Sequence, residues 1–345
     1  MLDTAGQDDI EITSKEGVPW LTKKVVEHDD SEGTSAMQDA ADMDADDGVR
    51  FVVNSGFPEN ISAYDSYEYV IHDEMADGFV LDSESVSVRI GETEFAEDDY
   101  ALVTSGLSDD CAFEIRFADI KAEAGEKGIV LTSESVVEVS YSARLSDTAD
   151  LGNPGNANEA YLEFSNDPYD EDATGITPSD LVNVFTYSLT VNKVDGDTEP
   201  LSGAAFTLQK WNGTAYVDYE IQSAEADKDV FTFTGIDSGQ YKLVETAPPD
   251  GYNRADDIEF IVTAEYPAES DAPVLTGLSV TDLEGEEIPG FNVSFEDGTI
   301  VIAVENTTGI ELPSTGGAGL YVMLAVCILA VVVGGAILFV PRKER

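Results

Sequence analysis

Three polar residues in the C-terminal half of the chain stand where alternation would bury them. In YKLVETAPPDGY, Tyr241 to Tyr252, side chains of a strand repeat every two residues, so Tyr241, Leu243 and Glu245 share one face. YSLTVNKVDGD puts Leu189, Val191 and Lys193 on one face, and TIVIAVENTTG does the same for Ile300, Ile302, Val304 and Asn306. Each apolar stripe thus ends in a polar residue: a lysine, an acid or an asparagine. Burying an unpaired charge is very costly, so both ionisable groups are pushed toward their neutral forms. A neutral lysine is a nucleophile, and a carboxylic acid kept protonated donates a hydrogen bond. If the three meet, Lys193 attacks the Asn306 carboxamide while Glu245 polarises its carbonyl and passes a proton to the departing ammonia. The product is a Lys–Asn isopeptide bond, made once per molecule. A buried Lys–Glu ion pair beside a turn-capping Asn is the plainer alternative.

The N-terminal half repeats the arrangement. WLTKKVVE aligns Leu21, Lys23 and Val25, YEYVIHDEMADGF aligns Tyr67, Tyr69, Ile71 and Asp73, and EAYLEFSNDP aligns Ala160, Leu162, Phe164 and Asn166. Lys23, Asp73 and Asn166 are the second expected triad. Lys24 takes the place of Lys23 if the pleat of that strand runs the other way, and an Asp before MADG also suits a cap.

The elements that must position these residues are strands. Short alternating runs and turn residues fill residues 20 to 308, which predicts an all-β protein of two tandem sandwiches. Residues 20–168 form the first, 169–185 read as a linker rich in Asp, Pro and Thr, and 186–308 form the second. Residues 1–19 read as the remnant of an upstream domain or a linker. The run from His28 to Gly48 holds Asp42, Asp44 and Asp46, but Val53 stands where a calcium loop needs a bidentate acid, so a solvated loop is expected. His28 and His72 are too isolated in sequence to suggest a zinc site, and neither a metal nor a cofactor is expected. The Asn60-Ile61-Ser62 and Asn212-Gly213-Thr214 triplets fit the glycosylation pattern, which by itself carries little weight.

Seventy acidic residues against 17 basic ones give the 345-residue chain a formal charge of −53, which argues against nucleic acid as a partner. With 42% hydrophobic residues, the chain nevertheless has the material for folded cores rather than disorder. Of the two cysteines, Cys327 lies in an apolar C-terminal run, so a disulfide with Cys111 is not expected. That run, Leu320 to Val340, is uncharged and long enough to span a bilayer as a helix. The basic residues of PRKER, 341–345, favour the cytoplasmic side and leave the rest of the chain outside.

LPSTG (Leu312, Pro313, Ser314, Thr315, Gly316), then the apolar span, then the basic tail resembles the cell-wall sorting signal of Gram-positive surface proteins. The resemblance implies cleavage by a sortase between Thr315 and Gly316 and transfer of Thr315 to an amine, so that the membrane holds the protein only before sorting. No secretion signal is visible in MLDTAGQDDIEITSKEGVPW, which points to a truncated chain or a misplaced start.

KVDGDTEPLSGAAFTLQK, FTFTGIDSGQYKLVETAPPDGY and VENTTG closely resemble the collagen-adhesin B-type domains of Gram-positive pilins. TKKV, YVIHDEMADGFVL, VVEVSYSARL and GNPGNANEAYLEFSNDP resemble the isopeptide-forming fimbrial domain that precedes such a domain in major pilins. Together they imply an A-like sandwich followed by a prealbumin-like one, with Lys193 joined to Asn306, Lys23 joined to Asn166, and Glu245 and Asp73 assisting. The function implied is that of a structural subunit of a sortase-assembled pilus, extracellular and wall-anchored, joined through Thr315 to peptidoglycan or to another subunit. No enzymatic turnover is expected. The alternative is a wall-anchored adhesin or minor pilin whose β domains carry a binding module. The Tyr-Pro-Lys type motif that supplies the acceptor lysine in such pilins does not occur, and Lys15 is the only lysine before the first strand.

Overall fold

The computed structural model describes residues 18–309, apart from 30–32, 46–47, 108, 171, 223–224 and 226. The LPSTG motif, the apolar span and Cys327 lie outside the described residues.

Alternating sequence produces strands almost throughout. The N-terminal half contains β1 (Leu21–Asp29), β2 (Thr34–Gln38), β3 (Ala40–Asp42), β4 (Gly48–Gly56) and β5 (Tyr69–Met75). It continues with β6 (Phe79–Ile90), β7 (Thr93–Phe95), β8 (Ala101–Val103), β9 (Phe113–Phe117) and a short helix α1 (Ile120–Glu126). The Asp119 side chain caps α1 by accepting from the backbone N–H of Lys121 and Ala122. The half closes with β10 (Val136–Leu145), β11 (Asn156–Ser165), β12 (Thr174–Ile176) and β13 (Asp180–Phe185). The C-terminal half contains β14 (Tyr187–Asp195), β15 (Ala205–Trp211), β16 (Tyr216–Gln222), β17 (Val230–Ile236) and β18 (Gly239–Ala247). Its last strands are β19 (Ile258–Glu265), β20 (Gly277–Thr281), β21 (Asn292–Ser294) and β22 (Thr299–Asn306).

Two sheets, ordered β2-β1-β4-β10-β6-β7 and β3-β13-β11-β5-β9-β8 with β12 added on β11, face each other over the first core. Tyr67, Tyr69, Phe51, Phe113, Phe117 and Tyr141 fill its centre. The second core lies between sheets β17-β14-β22-β21 and β16-β15-β18-β19-β20. There the first and last strands, β14 and β22, are parallel neighbours, with Lys193 opposite Val304 and Asp195 opposite Asn306.

The expected linker 169–185 is not one. β12 and β13 both pair with β11, so these residues complete a sheet of the first sandwich, and Thr186 alone separates β13 from β14. The polar composition misled because β12 is an exposed edge addition, whereas β13 carries the buried Val182, Val184 and Phe185.

Part of the loop expected to be solvated is buried. Asp39 to Asp44 sit in the crevice between the halves, where β3 pairs in parallel with β13. Ala40 joins the second core while Ala41 and Met43 join the first. Each aspartate there has a partner from the second half: Ser270 N–H for Asp39, Tyr266 O–H and Ser238 N–H for Asp42, and Lys210 for Asp44. On the other side of the junction, Gly152 and Gly298, both at positive φ, bring their backbones so close that a Cβ on Gly152 would lie 2.2 Å from Gly298 N.

Candidate functional site: two buried Lys-acid-Asn clusters

In the first sandwich β1 belongs to one sheet, while β5 and β11 are neighbours in the other. Lys23, inward on β1, therefore points across the core rather than along a strand pair. Its Nζ lies 2.7 Å from Asp73 Oδ2 and also contacts Asn158 Oδ1. Asn158 Nδ2 donates to the Tyr141 hydroxyl (2.8 Å), which in turn donates to Asp73 Oδ2 (2.7 Å). All four side chains are fully buried, and the amine sits 5.6 Å from the ring centroids of both Phe51 and Tyr141. Asp73 Oδ1 is buried with no hydrogen-bond partner.

Asn166 is not part of this cluster. Alternation assigned the correct face of β11, since Asn156, Asn158, Ala160, Leu162 and Phe164 all point inward. The polar residue that matters lies at the opposite end of the stripe. Register decides this: Asp73 pairs with Ala160, one inward position from Asn158, whereas Asn166 lies past the end of β11, exposed, with Nδ2 on the Thr174 carbonyl. Lys24 points the other way, to Asp39 (2.5 Å) and Glu269 (2.9 Å) at the junction. Tyr141 was missed because a tyrosine in an alternating strand reads as core; only its hydroxyl contacts reveal more.

Burial sets the proton positions. Desolvation pulls the Lys23 amine below its ordinary value, with Asp73 opposing, and pushes the Asp73 carboxyl up, with Lys23 opposing. The Tyr141 hydroxyl is pushed well up by burial and by Asp73, so it stays a proton carrier. An amine pulled toward its neutral form thus faces a carboxamide, with an acid and a phenol between it and the amide nitrogen.

In the second sandwich the structure brings Glu245 and Asn306 together. Asn306 Nδ2 donates to Glu245 Oε1 (2.9 Å) and Oε2 (3.0 Å), and Ala255 N–H donates to Oε2 (2.7 Å). The amide nitrogen, rather than the carbonyl expected from sequence, therefore faces the acid. Asn306 Oδ1 is buried without a partner. Lys193, also buried, donates to the carbonyls of Val304 (2.7 Å) and Val194 (3.1 Å). Asn306 follows Val304 on the same inward face of β22. Desolvation lowers the Lys193 amine here too, against Glu245, Glu305 and Asp195.

Comparison with known proteins now bears on these clusters. Residues 187–272 match the family of prealbumin-like fold domains (SpaA), and residues 304–345 match the LPXTG cell wall anchor motif. The chain thus carries a prealbumin-like domain and a C-terminal cell wall anchor motif. It is 31% identical over 129 residues to the trypsin-resistant surface T6 protein of Streptococcus pyogenes serotype M6, a match spanning 33% of this chain and 23% of the T6 protein. Its fold is that of the major pilin GBS80 of Streptococcus agalactiae, 35 kDa C-terminal fragment (TM-score 0.55, 21% identity, 71% of this chain and 91% of that one). The T6 backbone pilin of S. pyogenes gives the same score at 18% identity, over 85% of this chain and 71% of that one. The full-length major pilin SpaD of Corynebacterium diphtheriae scores 0.54 at 18% identity, over 85% and 66%. The anchor motif places the chain outside the cell, on the wall.

Proposed function

We propose that this chain is a structural subunit of a sortase-assembled pilus, and that each sandwich locks itself with one Lys–Asn isopeptide bond. The observation that carries the bond is the Lys23–Asp73–Tyr141–Asn158 cluster, in which nucleophile, acid and carboxamide touch in a fully buried core. Lys23 Nζ attacks Asn158 Cγ and the Cγ–Nδ2 bond breaks. The proton lost by the amine passes through Asp73 and Tyr141 to Nδ2, which leaves as ammonia. Lys193, Glu245 and Asn306 perform the same exchange with Glu245 as the sole carrier.

The pilus role is supported by the names of the relatives, which are backbone pilins, and by the anchor motif. The sortase would recognise Leu312 to Gly316 and join Thr315 to a lysine of the next subunit or to peptidoglycan. The partner groups follow from that chemistry. Expression in a Gram-positive host together with a pilus-type sortase tests the reading. A ladder of covalent multimers that withstands boiling in detergent, and that disappears when Leu312–Gly316 is deleted, is the expected result. Wall-bound monomers alone would reject assembly.

A further inference from the structure

The outer face of β5 carries a second polar cluster, away from the Lys23 core. His72 points opposite to Ile71 and Asp73, toward what would ordinarily be solvent, yet it is only 6% exposed and its cross-strand neighbour Glu114 only 2%. The cover is the connection between β8 and β9. It carries Asp109 and Cys111 back over His72, and Ala112 N–H fixes its end to the Asp73 carbonyl (2.8 Å).

Several donors converge on one ring nitrogen. His72 Nδ1 lies 3.0 Å from Asp109 Oδ2, 3.3 Å from Glu114 Oε1 and 3.9 Å from Cys111 Sγ. The ligand atoms of His72, Asp109 and Cys111 all lie within 4.8 Å of one another. Ligands held at 2.0–2.3 Å around a tetrahedral ion are separated by roughly 3.3–3.7 Å, so the observed edges bracket that spacing. The atoms that do not face the centre are held. His72 Nε2 meets the Glu163 carboxylate at 3.3 Å, and its ring stacks on Tyr161 at 4.4 Å and 6°. Arg116 pairs with Glu114 Oε2, and the Asp109 Oδ2 that faces His72 also accepts from the Tyr161 hydroxyl (3.1 Å). A carboxylate on the far nitrogen is the arrangement that orients a metal-bound imidazole.

We propose that His72, Asp109 and Cys111 bind a divalent transition ion of the zinc type, with Glu114 as the nearest fourth donor. The donor set chooses the ion. One imidazole, one thiolate and carboxylate oxygens suit zinc or cobalt, whereas calcium and magnesium take oxygen ligands almost exclusively. Binding displaces the thiol proton to solvent, and the ion then ties the β8–β9 connection to the sheet. The site is independent of the proposed crosslinks, since none of its side chains belongs to either cluster.

The test is titration with cobalt(II) of the full chain in detergent and reductant, carrying Cys327→Ser so that Cys111 is the only thiol. The expected result is a thiolate-to-cobalt charge-transfer band with the ligand-field bands of four-coordinate cobalt, saturating at one equivalent and bleached by zinc. Cys111→Ser should abolish the charge-transfer band, and His72→Gln should weaken binding on the order of 100-fold. Glu163→Gln, which touches no ion and leaves the sheet intact, should weaken it about tenfold. Absence of the band, or a band that survives Cys111→Ser, overturns the proposal. So does equal affinity in the parent and Glu163→Gln, because a real site needs its imidazole oriented.

Discussion

Asp73 Oδ2 accepts from both Lys23 Nζ and the Tyr141 hydroxyl, each at 2.7 Å, with all three side chains sealed from water. One oxygen thus touches the nucleophile and, through a phenol, the amide that would leave. This relationship makes the choice of asparagine testable. The intact mass of residues 1–311 should fall two ammonias below the sequence value. Asn158→Ala, Asp73→Ala, Asn306→Ala and Glu245→Ala should each restore one, and Asn166→Ala none. Recovery of one ammonia with Asn166→Ala would return the assignment to the sequence-based choice.

Tyr141 separates geometry from mere packing. Tyr141→Phe keeps the ring that stacks on Phe51 but removes the hydroxyl between Asp73 and Asn158. A positioned proton carrier contributes on the order of 100-fold, so the bond should form that much more slowly after refolding, with an unchanged final mass. Mass spectra taken at intervals from denaturant dilution measure this. An unchanged rate would reduce Tyr141 to a core residue.

These two cases show what alternation can and cannot reveal. It identified the inward faces of β1, β5, β11, β14, β18 and β22, because a period of two is a local property. It could not supply register, which depends on which strands pair, and so it chose Asn166 over Asn158 on the same face. Nor could it show that the β8–β9 connection folds over His72, or that a run of aspartates fills the junction. Acidic loops read as solvated unless their partners are known, and Lys210, the partner of Asp44, lies 166 residues away.

The proposed bonds predict a stability difference. A tie from Lys23 to Asn158 closes a loop of 135 residues, for which a disulfide is assigned about 4–5 kcal/mol through the unfolded chain. Asn158→Ala should therefore lower the melting temperature of the first sandwich by about 10–20 °C. Calorimetry of the variant beside Asn166→Ala provides the comparison. Similar melting of the two would mean that no bond constrains the unfolded state.

Proton inventory gives a further check in the uncrosslinked Asn158→Ala protein. Unfolded, Lys23 and Asp73 hold one proton between them from above the ordinary 3.8 of the carboxyl to below the ordinary 10.5 of the amine, and it sits on lysine. Folded, burial moves both groups toward neutrality; with both neutral the pair again holds one proton, on Asp73. Folding then takes up no proton from the pair, and stability from this source is flat across the window. Below it the unfolded chain binds a second proton and stability falls with pH; above it the unfolded chain loses its last proton and stability falls as pH rises. The stability difference between Asn158→Ala and the same protein carrying Lys23→Met and Asp73→Leu should be constant from about pH 5 to 9. A slope approaching one proton would mean that only one member is neutral.

The junction should behave as a single stiff unit because its charges are paired across it. Lys210 Nζ lies 2.9 Å from both Asp44 Oδ2 and Asp237 Oδ1, and Tyr241 O–H donates to the same Asp237 oxygen at 2.7 Å. All of these groups are buried, and desolvation already pushes the Asp237 carboxyl well up. Lys210→Met removes the cation that Asp44 and Asp237 share, a loss of about 3–5 kcal/mol when a buried pair is broken from one side. Urea unfolding should show the loss and, because the two cores meet at this junction, should split one transition into two. A single transition with an unchanged midpoint would show that the backbone contacts of β3 and Gly152 hold the halves together without the ion cluster.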